Sequence, residues 1–224
     1  MSRKRQNPPR EETNATELYE LPEIQEAYEY VNWPNTPVSY PGLVRIRTHA
    51  GSYSLYHAIL NGLSTAYRTH EIHGVDTSET KLVKGLIHEL CATLRVEYDT
   101  LMGGKIAEMA ALDPDLHVEA LVRQLQTSIS IPKSLLPFVC DTLGIDLYYV
   151  SGHNRDVFPI MTDMELIIKG RRSIIVLYCR NHYELMGVME TRKQKGGTVV
   201  YEEFATVFKA DHPLIIQLKR QLGF

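Results

Sequence analysis

No stretch of this chain is apolar for long enough to cross a bilayer. The longest apolar run, Ile174 to Cys179, falls far short of the ~20 residues a spanning helix needs. The charged start of the sequence is followed by no apolar segment of the kind that directs export, so neither secretion nor membrane insertion is expected. Cysteine is scarce: three residues, Cys91, Cys140 and Cys179, all in apolar surroundings, which excludes a disulfide scaffold. They read as reduced core residues of an intracellular protein, and none has the context of a nucleophile. Charge of one sign is not in excess either. With 24 basic and 27 acidic residues the net charge is −3, which gives no overall pull toward nucleic acid or an anionic membrane. Internal repeats and a βαβ rhythm are also lacking.

What is present suits one globular unit with a tail. A hydrophobic share of 44% and a charged share of 23% are ordinary for a folded domain, and 224 residues can bury one substantial core. Residues 1–15 combine a basic cluster with Pro8 and Pro9 and almost no apolar side chain, so they form an N-terminal tail or an arm that docks on a partner. Residues 16–42 hold a short helix between Glu17 and Tyr30 and a Pro-rich connector that carries the single tryptophan, Trp33. The globular domain then runs over 43–224.

In that domain helices come first and strands later. Asp76 and Glu79 suggest a capping box, followed by a core helix with Leu82, Val83, Leu86, Ile87, Leu90 and Leu94 at helical spacing. Two helices follow, Lys105 to Leu112 and Asp115 to Gln126, and a third opens near Ser134 and closes at Gly144. Strands are expected at Ile145 to Val150, Glu165 to Ile168, Ser173 to Cys179, Tyr183 to Met189 and Thr198 to Phe204, with a hairpin turn over Arg192 to Gly197. Asp211 and Pro213 start a final helix with Leu214, Ile215 and Leu218 buried. The fold class is α+β, a mostly antiparallel sheet with a flanking helical subdomain. His70, His73 and His88 invite a metal reading, with the first pair on one helical face. No cysteine or carboxylate cluster stands beside them, so neither a metal nor another cofactor is expected.

The stretch that organises the chain is Leu43 to His70: a short strand, a polar turn at Thr48 to Tyr53, and an amphipathic helix. Leu55, Ile59, Leu63 and Tyr67 share one face of that helix, and Ser54 stands on its first turn, where backbone N–H groups lack partners. Ser54-Leu55-Tyr56-His57-Ala58-Ile59 resembles the nucleophile motif of the ovarian-tumour (OTU) deubiquitinases, Asp-Gly-x-Cys-Leu-Phe-(His/Tyr/Arg)-Ala-Ile. The nucleophilic cysteine is replaced by Ser54, and Asp-Gly-x by Gly51-Ser52-Tyr53. A second motif, Asn181-His182-Tyr183-Glu184-Leu185 after the apolar run Ser173 to Tyr178, is similar to the family's histidine motif. The Leu135 to Val150 segment resembles the helix and strand before it, so the likeness extends over about residues 43–190.

The resemblance implies an OTU-like, papain-like cysteine peptidase fold. Ser54 takes the nucleophile position, His182 that of the general base, Glu184 that of the orienting residue, and Gly51, Ser52 and Tyr53 the oxyanion loop. A serine hydroxyl stays protonated where a thiol beside a histidinium ionises, and needs an aligned base and a strong oxyanion hole to react. Loss of Asp-Gly beside the cysteine argues that the replacement is native.

Four readings stay open. One is a catalytically silent OTU-like protein that binds ubiquitin-like proteins or serves in an assembly. The others are an active deubiquitinase with a Ser54, His182 and Glu184 triad, an engineered Cys-to-Ser mutant, and a false resemblance in which Ser54 is an N-cap. A small, nucleophile-less copy with a basic tail suits a virion or capsid-associated protein of a large DNA virus, whose tail contacts assembly partners. Ubiquitin or a ubiquitin-like protein is the expected partner, a membrane is not, and nucleic acid is not expected beyond the tail. The location is the cytoplasm, or the virion if viral.

Overall fold

The computed structural model describes residues 24, 26–31, 39–49, 53–72, 74–100, 105–113, 116–127, 131–151, 166–167, 170–179, 182–193 and 200–224. The tail over 1–15, most of the 16–42 segment including Trp33, and the Arg192 to Gly197 turn beyond Lys193 lie outside them.

The strands are β1 (Tyr28–Tyr30), β2 (Leu43–Ile46), β3 (Glu71–Ile72), β4 (Val75–Asp76), β5 (Ile145–Ser151), β6 (Arg172–Cys179), β7 (His182–Lys193) and β8 (Val200–Ala205). The helices are α1 (Ser54–Leu63), α2 (Thr65–Thr69), α3 (Glu79–Thr100), α4 (Lys105–Leu112), α5 (Val118–Thr127), α6 (Leu136–Leu143) and α7 (Pro213–Gln221). The large sheet has the order β1-β2-β7-β6-β5, with β8 paired to the far part of β7. All its ladders are antiparallel except β5 with β6. The small β3–β4 hairpin stands apart. This is the expected α+β arrangement.

One core joins sheet and helices. Leu55, Ile59, Val83, Leu90, Leu94, Leu125, Phe138, Leu147, Ile174, Val176, Leu185 and Ile215 all belong to the same buried cluster. α1 packs on β6 and β7 through Gly62, where a Cβ would meet Ile174 Cδ1 at 3.3 Å and Leu185 Cδ1 at 3.4 Å. Behind α1, α3 packs on α4, α5 and α6.

Several expectations need correction. Tyr28–Tyr30 forms a strand rather than the end of a helix, because it pairs with β2. The helix after Ser54 breaks at Ser64, whose backbone is extended and whose side chain accepts the Tyr67 N–H at 3.2 Å, so α2 starts afresh. His70 ends α2 in a left-handed conformation (φ 57) and Glu71–Ile72 is a strand. No helix therefore continues from His70 toward His73, which lies outside the described residues. Ser78, not Asp76, caps α3, accepting the Lys81 N–H at 3.3 Å, while Asp76 belongs to β4. Leu166 and Ile167 form a buried turn rather than a strand. α7 is capped by His212, whose ring accepts the Leu214 N–H, rather than by Asp211.

Candidate active site and its surroundings

The first turn of α1 is held from two sides. Tyr53 precedes it with φ 70, a left-handed backbone that a bulky residue adopts only when its surroundings enforce it. Its hydroxyl donates to the Gln126 carbonyl at 2.7 Å, and the Tyr56 hydroxyl to the Leu125 carbonyl at 3.1 Å. Both carbonyls lie in the last turn of α5, where helical partners run out, so the two tyrosines satisfy them while fixing α1. Burial pushes the Tyr56 phenol well above its usual range, so it stays a donor.

Ser54 itself is 1% exposed. It is the first helical residue and not the N-cap, which corrects the capping reading. Its Oγ accepts the Tyr183 N–H at 3.1 Å, and the Tyr183 carbonyl accepts the Thr48 hydroxyl. The geometry has a plain cause. β2 ends at Ile46, which pairs with Leu185, and the next backbone groups of β7 on that side belong to Tyr183. Thr48 and Ser54 supply from side chains the partners that a longer β2 would have supplied from its backbone.

His182 starts β7, and its Nε2 lies 3.3 Å from Glu184 Oε1. Residues two apart on a strand face the same way, which makes this pair a product of strand geometry. Glu184 is 1% exposed. An Nε2–carboxylate contact of this kind fixes the orientation of the ring. The structure thus sets Ser54 against the backbone N–H of Tyr183, the residue after His182, and separately pairs His182 with Glu184, while Tyr53 precedes the helix. Gly51, Ser52 and Asn181 lie outside the described residues.

Two residues in this region escaped the sequence reading. Arg45 is fully buried, its Nη2 2.5 Å from Glu29 Oε2 and its Nη1 3.6 Å from Glu184 Oε2. A charge inside the apolar strand Leu43-Val44-Arg45-Ile46 was the available signal. Cys179 is the ladder partner of His182 and lies beside Glu184. Its place three residues before His182, at the junction of two strand-like runs, could have been read as a pairing. All three cysteines are buried and none forms a disulfide, as expected.

A second group surrounds the side of α1 and α2. His57 is buried and its Nδ1 lies 2.6 Å from the Tyr67 hydroxyl. Glu79 receives His49 Nε2 at 3.1 Å and His70 Nε2 at 3.7 Å on its two oxygens. Thr48, Arg47, Arg68, His49, His70 and Glu79 border a cavity of about 580 Å³. Burial holds the His57 imidazole below its ordinary value, His49 adds to this and Glu79 opposes it.

No family model matches the sequence, and neither does any curated protein. Among solved structures, an ovarian tumour (OTU) domain in complex with ubiquitin is similar to this chain with a TM-score of 0.47 and 16% identity, over 81% of this chain and 83% of that chain. Among the described residues no helix is long and apolar enough to cross a membrane.

Proposed function

We propose that the chain is a diverged OTU-like protein that keeps the base and orienting residue of a peptidase, lacks a working nucleophile, and acts by binding ubiquitin or a ubiquitin-like protein. One observation carries the silent half of this reading. Ser54 stands where the motif places the nucleophile, but its oxygen serves the sheet as partner of the Tyr183 N–H and is shut away from solvent. An acyl carbon must approach a nucleophile to within ~3–3.5 Å along an open path, and a hydroxyl in this setting offers none. The binding half rests on the sequence motifs: Ser54 to Ile59 and Asn181 to Leu185 are retained around a position that has lost its chemistry.

The alternative is an active hydrolase in which Ser54 attacks, His182 takes its proton and Glu184 steadies the imidazolium. The His182–Glu184 contact favours it; the burial of Ser54 counts against it. Titration calorimetry of ubiquitin, and of ubiquitin-like proteins, into the full chain tests the binding half. Saturable heat with one site per chain is expected, and no heat with any of them overturns it.

A further inference from the structure

Cys179, which neither motif includes, joins His182 and Glu184 in one cluster. The Cys179 sulfur, a His182 ring nitrogen and a Glu184 carboxylate oxygen all lie within 4.8 Å of one another. Their placement follows from the backbone. Cys179 and His182 are direct partners across the β6–β7 ladder, and Glu184 follows His182 by two positions, so all three side chains leave the same face of one strand pair.

Thiolate, imidazole and carboxylate are the ligand types zinc takes, and three protein ligands with one open position is the pattern of sites that keep a water. The His182–Glu184 spacing suits that ion. Bonds of about 2.0–2.2 Å from zinc to nitrogen and oxygen at the tetrahedral angle put the two ligand atoms roughly 3.4 Å apart. His182 Nε2 and Glu184 Oε1 stand at 3.3 Å.

The surroundings fit as well. Cys179 and Glu184 are buried, at 2% and 1% exposure, whereas the His182 side chain is 15% exposed and leaves an approach for solvent. Arg45 lies 3.6 Å from Oε2, the other carboxylate oxygen, where an outer partner would steady a ligating Glu184 through Oε1.

We propose that Cys179, His182 and Glu184 bind one zinc ion, with water as the fourth ligand. On binding, Cys179 releases its thiol proton to solvent and ligates as thiolate, and His182 ligates through Nε2 as the neutral ring. The ion then takes the place on His182 that the orienting carboxylate holds in a peptidase. The zinc site stands whether or not ubiquitin binds.

The test is a titration of the metal-free full chain with Zn²⁺ against a chromophoric chelator, paired with Co²⁺ substitution. One equivalent of zinc and a sulfur-to-cobalt charge-transfer band are expected. Cys179→Ser should abolish the band, and Cys179→Ser and Glu184→Gln should each weaken zinc binding at least tenfold. Because the first two positions are buried and their variants can fail to fold, His182→Ala, at the solvent edge, provides a second readout: zinc should raise the melting temperature of the parent and not of this variant. Absence of stoichiometric binding, a band that survives Cys179→Ser, or an equal zinc-induced melting shift in His182→Ala overturns the proposal.

Discussion

Arg45 and His57 each hold a polar group inside the protein, and each has a measurable consequence. The Arg45 guanidinium bridges Glu29, half-exposed at the sheet edge, and Glu184 in the interior. Removing it leaves the Glu184 carboxylate buried opposite no cation from β2. Arg45→Ala is therefore expected to cost roughly 3–5 kcal/mol of unfolding free energy, the range seen when one member of a buried pair is deleted. Arg45→Lys should recover only part of it, since an ammonium cannot serve two carboxylates with a planar fork. Denaturant unfolding checks both.

His57 responds to pH. Burial lowers its pKa from the ordinary 6.5, so the folded protein favours the neutral ring. As pH falls through 6.5 the unfolded chain takes up this proton first, and folding loses stability until the folded His57 titrates as well. Stability should fall from that pH downward, and His57→Asn should flatten the slope in a series of melting curves.

At the scale of elements, the strand–turn–helix around Ser54 was legible because its signals are local. Leu43, Val44 and Ile46 are apolar between turn residues, and Leu55 and Ile59 repeat at helical spacing. The helix break at Ser64 was not legible, since Leu63 and Tyr67 continue the same spacing and only the cap on Tyr67 N–H marks a new start. The roles of Ser54 were hidden for a different reason. A serine at a helix start reads as a cap, and only the register of β2 against β7 shows that Tyr183 needs a partner there. Glu79 has the spacing of a capping residue, while its contacts with His49 and His70 join α3 to the segment after β2 and to the end of α2, which no local signal shows.

The junction into β2 offers a direct test of this register. Gly42 has φ 73, and its carbonyl oxygen accepts the Met189 N–H at 2.7 Å. A Cβ at this position would stand only 2.8 Å from the Met189 carbonyl oxygen. Gly42→Ala therefore adds both strain and a clash with backbone, and about 1–3 kcal/mol of lost stability is expected from the left-handed conformation alone. A shift of that size in the denaturation midpoint, with an unchanged denaturant slope, checks it.

Over the whole molecule, sheet and helices share one buried cluster, so the described elements should unfold together. Far-ultraviolet circular dichroism and tyrosine fluorescence are expected to report the same melting midpoint; separated midpoints would mean two independent units. The α+β class and mostly antiparallel sheet were readable from the order of periodic segments. The parallel pairing of β5 with β6 and the central place of β7 were not, because strand order is set by contacts between residues distant in the sequence.

The proposed absence of cleavage is best checked with a ubiquitin-based fluorogenic substrate, using the protein as written, Ser54→Cys and His182→Ala. The protein as written is expected to release no more fluorophore than His182→Ala, and Ser54→Cys reports whether base and turn still support a thiol. Turnover by the protein as written that disappears in His182→Ala would overturn the silent reading and establish a working hydrolase site.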